Sequence, residues 1–267
     1  MLSDSGGGKA LADRKESLLY RIMKALVKLI YTRIEVLGIE NLPDEPCIIV
    51  GNHSQMNGPI CGELYCPGKH YVWCAGEMMD IKEVPDYAFR DFWSQKPKWM
   101  QPWFKLLSYI IAPLSVLVFN NAHTIAVYHD TRIVATFRST IKRLQEGNNI
   151  VIFPERDQKH NHIVYEFQEG FADVAKLYYK KTGKELYFVP LYIAPKLRQM
   201  HLGRALRFDP AAPIGEERQR ICSYLMAEIT DIACSLPRHT VVPYRNIPKK
   251  DYPLNISGEG DYAHTNR

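Results

Sequence analysis

Short apolar runs closed by turn residues alternate along the chain with stretches in which apolar residues return every third or fourth position. Runs at 47–50, 71–74, 124–128, 149–153 and 187–193 have the length and composition of buried strands. Between them, Ile133, Phe137, Ile141 and Leu144 line one helix face that ends at Gly147, and Ile221, Leu225, Ile229 and Ile232 line another that stops before Pro237. Strands interleaved with helices predict an α/β fold, a mostly parallel central sheet covered by helices on both faces. Ahead of it, Leu19, Ile22, Met23, Leu26 and Ile30 repeat at helical spacing, with Arg21, Lys24 and Lys28 on another face. That predicts an N-terminal amphipathic helix, either packed on the domain or lying on a membrane with its cations at the headgroups.

The boundaries that follow are a flexible glycine-bearing tail over 1–16, a membrane-surface helix over 17–38, the α/β domain over 39–242, and an extended C-terminal tail over 243–267, where Pro243, Pro248 and Pro253 interrupt any periodicity. The aromatic-rich stretch 85–102 reads as core, with a helical insertion closing an apolar pocket as the alternative. The longest apolar run, 106–119, carries Pro113 and falls short of the roughly 20 residues that cross a bilayer, so no transmembrane helix is predicted.

With 46% hydrophobic and 24% charged residues in 267, the chain has the means to bury a core, which excludes all but local disorder. Six cysteines without a Cys-x-x-Cys pair argue against a zinc knuckle or a disulfide framework and read as reduced thiols in the cytosol. Residues 1–15 are polar, so no secretory signal is expected. The formal charge of +5 favours an anionic partner without choosing among nucleic acid, anionic lipid and a phosphorylated small molecule.

The segment Ile48-Ile49-Val50-Gly51-Asn52-His53 sends an apolar strand into a turn and delivers His53 beyond its carboxyl end, where open α/β sheets place their sites. A second strand ends in Phe153-Pro154-Glu155, so an imidazole and a carboxylate are predicted to share one cleft. Signatures of a serine-hydrolase elbow, a dinucleotide fold and a nucleotide-phosphate loop are absent from the sequence. The basic and aromatic mixture at Lys96-Pro97-Lys98-Trp99 has no nucleic-acid fold signal to support it, so no nucleic-acid partner is expected.

In order along the chain, Asn52-His53, the strand Ile125-Ala126-Val127-Tyr128, Phe153-Pro154-Glu155, Phe167-Gln168-Glu169-Gly170 and Val189-Pro190 resemble the motifs of the glycerolipid acyltransferases typified by 1-acylglycerol-3-phosphate acyltransferases. Three positions depart from that pattern: Gly58 where the family has Asp five residues after its His, Arg156 where it has Gly, and His129 where it has Arg, with Arg132 three residues on. The resemblance implies a peripheral O-acyltransferase at the cytoplasmic face of a membrane. It implies acyl-CoA or acyl carrier protein as donor, a lysophospholipid or polyol acceptor, and neither cofactor nor metal. His53 would be the general base, since neutral imidazole suits proton removal near neutral pH. Glu155, Arg156, His129, Arg132 and Lys159 would bind substrate, the cations through a phosphate. A carboxylate normally orients such a base. Gly58 cannot, so Asp157 is expected in that role, ahead of Glu63. Weighed beside these are a metal at His53, His160 and His162, secondary phosphate contacts at Lys196, Arg198 and Arg204, and a non-catalytic lipid-binding protein of the same fold.

Overall fold

The computed structural model describes residues 17–256 other than 32 and 95. The expected flexible tail over 1–16 and the last part of the expected C-terminal tail, 257–267, lie outside the described residues.

The five predicted strands form: β2 (Cys47–Gly51), β3 (His70–Ala75), β4 (Thr124–Val127), β5 (Asn149–Ile152) and β8 (Tyr187–Ala194). They run parallel in the order β8-β2-β5-β3-β4. Three short strands complete one edge: β1 (Glu35–Leu37), β9 (Gln199–Leu202) and β10 (Leu206–Arg207), with β9 and β10 antiparallel to β8 and β1 parallel to β9. A separate antiparallel hairpin joins β6 (Glu155–His160) to β7 (Tyr165–Phe167). Alternation along β2 divides the core: Ile48 and Val50 pack under α5 (Ile133–Gln145), α6 (Asp173–Thr182) and α7 (Ile214–Ser235), whereas Cys47 and Ile49 pack on the opposite face with Cys61 of α2 (Asn57–Tyr65). The fold is therefore the α/β arrangement expected, with both faces of a mostly parallel sheet covered.

Helix α1 (Leu18–Ile30) starts at Ser17, whose side chain accepts the Tyr20 N–H. It sits on the body by its polar side. Tyr20 is buried and its hydroxyl donates to Glu63 Oε1 at 2.8 Å, where Lys24 Nζ arrives at 2.7 Å. Leu18 and Leu29, 72% and 83% exposed, point outward with Leu19, Ile22 and Leu26. Lys24 is thus an inward anchor and not a headgroup contact, because a partly buried carboxylate 39 residues away claims it. Glu63, the alternative to Asp157 for orienting His53, is instead engaged by Tyr20 and Lys24.

Burial raises the Glu63 pKa, but hydrogen bonds from His123, Lys24 and Tyr20 and the Lys24 charge outweigh it and hold the group at about 2. A carboxyl whose folded pKa is depressed stabilises fully above its unfolded value and loses that stabilisation as pH falls toward the folded one. The loss from this cluster is on the order of 3 kcal/mol between about pH 4.5 and 2. In urea unfolding, Glu63→Gln is expected to be less stable than wild type at pH 6, with the gap falling to about half by pH 3 and closing only near pH 2. A gap independent of pH would dismiss the ion cluster as its source.

Between β3 and β4 the chain leaves the sheet as α3 (Val84–Ala88), a π-helical turn at Phe89–Trp93 and α4 (Gln101–Asn121). Val84, Ala88 and Ala112 bury a small core with Trp93, and Ser115 Oγ donates to Met78 O at 3.0 Å. Trp99 and Trp103 are exposed, so only part of the aromatic stretch is core. Helix α4 is 21 residues long, longer than the apolar run suggested because Gln101–Lys105 join it. By length and composition it matches a bilayer span, and most of its side chains are not buried in the body.

The chain from 243 to 256 is not an extended tail. Asn255 is fully buried; its Nδ2 donates to the carbonyls of Ala233 and Leu236 at the end of α7, and its Oδ1 accepts the His239 N–H. Val241 N–H bonds Pro253 O, which closes residues 239–255 into a loop folded back on the domain.

Candidate functional site

Five parallel strands end along one edge of the sheet. Beyond β2, Asn52 is buried and copies a strand residue with its side chain, donating from Nδ2 to Ile193 O at 3.1 Å and accepting the Ile193 N–H at 2.7 Å. This amide clasp extends the β2–β8 pairing by one position and fixes where the chain departs. His53 comes next. Its backbone N–H donates to Glu155 Oε1 at 2.5 Å, while Glu155 Oε2 accepts the Tyr165 N–H at 2.7 Å. One buried carboxylate thereby ties the ends of β2 and β5 to the hairpin.

The predicted meeting of His53 and Glu155 is present, though through the histidine backbone. Both Glu155 oxygens already accept backbone N–H groups, so in this arrangement Glu155 positions the His53 segment. Burial pushes its carboxyl up to about 7, against the two N–H bonds that favour the anion.

The His53 ring lies between Phe153 and Tyr244, with centroid separations of 5.8 and 5.2 Å and edge-on geometry to both. Burial lowers its pKa below the ordinary value, opposed by smaller contributions from the backbone of Gln55 and of His53 itself. Nδ1 is buried and has no hydrogen-bond partner among the described residues. Burial thus favours the uncharged form of both groups, the imidazole by lowering its pKa and Glu155 by raising its own.

After His53 the backbone turns through Ser54 and Gln55, both left-handed at φ 49° and 55°. Ser54 Oγ donates to Val242 O, and Gln55 Nε2 donates to the Tyr252 hydroxyl at 2.9 Å. The turn brings Gly58 N–H to His53 O at 2.9 Å. A Cβ at Gly58 would lie 2.3 Å from that oxygen and 2.9 Å from its carbon. Here the missing Asp has a geometric cause: the backbone occupies the space a side chain would need.

Asp157 does not take over. It lies on β6 with a half-exposed side chain and pairs with Arg245 at 3.5 Å, because the hairpin carries it past the ring toward the C-terminal loop. Arg156 pairs with Glu166 at 2.7 Å, and Lys159 stands exposed further along β6. Arg132 stacks on the Tyr128 ring at 3.8 Å and bridges Asp130 and Glu83. It and exposed His129 follow β4, three strand spacings from β2, or about 14 Å. The structure thus brings His53 and Glu155 together, sets Arg156 and Asp157 on the adjoining hairpin, and leaves His129 and Arg132 farther along the edge. His160 stacks on Tyr165 at 4.2 Å. Sequence reasoning passed over Tyr244, Ser54 and Gln55; only the lone aromatic of Pro243-Tyr244-Arg245 hinted at the first.

No family model matches the chain, and no curated protein matches it. Among solved structures, the chain is similar to the 1-acyl-sn-glycerophosphate (LPA) acyltransferase PlsC from Thermotoga maritima, with 16% identity, a TM-score of 0.45 and 80% of each chain covered. That likeness is loose, and the functional reading rests on the residues at the carboxyl edge of the sheet.

Proposed function

We propose that the protein is a peripheral membrane O-acyltransferase that moves a fatty acyl group from acyl-CoA or acyl carrier protein to a hydroxyl of a lysophospholipid such as 1-acylglycerol 3-phosphate. The observation that carries this reading is the neutral, half-enclosed His53 imidazole held at the end of β2 by Glu155. In the reaction the ring takes the acceptor's hydroxyl proton as that oxygen attacks the thioester carbon. The carbon–sulfur bond then breaks, and the imidazolium returns its proton to the departing thiolate. Arg156 and Lys159 are the nearest cations on the hairpin for a phosphate. Attachment to the cytoplasmic face of a bilayer is supported by the outward apolar faces of α1 and α4, two helices in contact with each other.

The second reading, a lipid-binding protein without turnover, is favoured by the bare Nδ1 of His53. Both are tested by incubating purified protein with anionic vesicles, acyl-CoA or acyl carrier protein thioesters, and 1-acylglycerol 3-phosphate, while following thiol release and flotation. Saturable thiol release is expected, and Leu26→Asp with Leu29→Asp should lower flotation at least tenfold. Flotation without release from any thioester would leave the binding reading; undiminished flotation of the double variant would remove α1 from membrane attachment.

A further inference from the structure

The C-terminal loop over 239–255 reaches back across nearly the whole sequence to the residues that follow β2. Its contacts there converge on one place. Tyr244 sets its ring 5.2 Å from the His53 centroid and 6.1 Å from that of Tyr165. Val242 O accepts the Ser54 hydroxyl, and Tyr252 and Arg245 O accept from Gln55 Nε2. These are the two left-handed residues next to His53, a conformation that costs a non-glycine residue of order 1–3 kcal/mol and persists only when its surroundings impose it. The loop is itself held at both ends, by Asn255 on the end of α7 and by His239, whose Nε2 lies 2.8 Å from the Tyr192 hydroxyl.

We propose that this loop does for His53 what an orienting carboxylate would otherwise do, with Tyr244 as the positioning residue that fixes the plane of the imidazole and shields it from water. An aromatic wall fixes a ring by packing instead of by charge, so it sets geometry without stabilising the imidazolium. The groups that face this place are Glu155 on the His53 N–H, Phe153 on the other side of the ring, and Asp91, Glu155 and Asp157, whose charges add to burial in raising the Tyr244 phenol; Arg245 balances Asp157. The proposal rests on His53 acting as the base, and its test separates the two.

Tyr244→Ala, Tyr244→Phe and Tyr252→Phe are compared with wild type by NMR titration of the His53 ring and by kcat and KM against pH. In Tyr244→Ala the ring becomes more solvated, so its titration is expected to move up toward 6.5, and the acidic limb of kcat with it. Its kcat should fall about 10–100-fold, the scale on which misplaced groups lose rate, with KM for acyl-CoA within about twofold. Tyr244→Phe keeps the wall and should restore both quantities. Tyr252→Phe, which leaves the ring untouched, should shift both in the same direction by less. Unchanged His53 titration and kcat in Tyr244→Ala, or a Tyr244→Phe that behaves like Tyr244→Ala, would overturn the proposal. If His53→Ala transfers acyl groups as well as wild type, the base reading falls, and the ring titration alone then decides whether the loop positions the imidazole.

Discussion

His53→Ala is expected to lower acyl transfer by about 10²–10³-fold while the protein stays folded. General base catalysis contributes about 10²–10⁴-fold. The lower part of that range applies here for a stated reason. In a triad, disabling the carboxylate behind the histidine costs on the order of 10⁴ in rate. The buried Nδ1 of His53 has no such partner, so the wild type already forgoes part of what the imidazole supplies elsewhere. Folding should be little affected, because the links that hold this segment run through the His53 N–H and carbonyl, which alanine retains. Circular dichroism would verify the fold, and thiol release under single-turnover conditions would read the chemistry. Transfer by His53→Ala within threefold of wild type, in a protein that still floats with vesicles, would exclude the imidazole as base.

Restoring the absent acid is expected to do harm. Gly58→Asp places a Cβ 2.3 Å from His53 O and 3.1 Å from its Cα, and all three close neighbours are backbone atoms that cannot rotate away. Relief requires breaking the bond from Gly58 N–H to His53 O and reopening the turn that carries Ser54 and Gln55. Overpacking of this kind costs typically 1–3 kcal/mol and occasionally more. For a domain of this size that corresponds to a fall in thermal midpoint of roughly 2–4 °C per kcal/mol, or about 6–12 °C for 3 kcal/mol. Acyl transfer should fall as well, since the displaced segment includes the base. A variant that melts with wild type and turns over faster would show that the turn accommodates a carboxylate and that glycine here is not a geometric requirement.

The parts of this molecule that sequence made legible are those built by hydrophobic alternation. Ile48-Ile49-Val50 and Ile150-Val151-Ile152 are buried on both faces and read as strands without ambiguity, and their shared direction brings His53 and Glu155 to one edge. What could not be read is held by polar groups acting over distance. The hairpin strand Glu155–His160 is almost wholly charged or polar, so nothing in its composition separates it from a loop. The sequence of helix α1 is plainly amphipathic, yet its inward side depends on Glu63, far along the chain. The loop over 239–255 has no apolar period, because Asn255 and His239 fasten it through hydrogen bonds. Asp157 is two residues from a well-placed carboxylate, but proximity in sequence says nothing about a hairpin that carries it outward to Arg245.

The clasp at Asn255 also imposes an order of assembly. During synthesis the strand bearing His53 emerges early, whereas Tyr244 follows roughly 190 residues later. At about 5–20 residues per second that interval is roughly 10–40 s. Throughout it the nascent chain lacks the ring that packs on its histidine, and a chain cut before Asn255 would lack the clasp that fastens this loop to the end of α7.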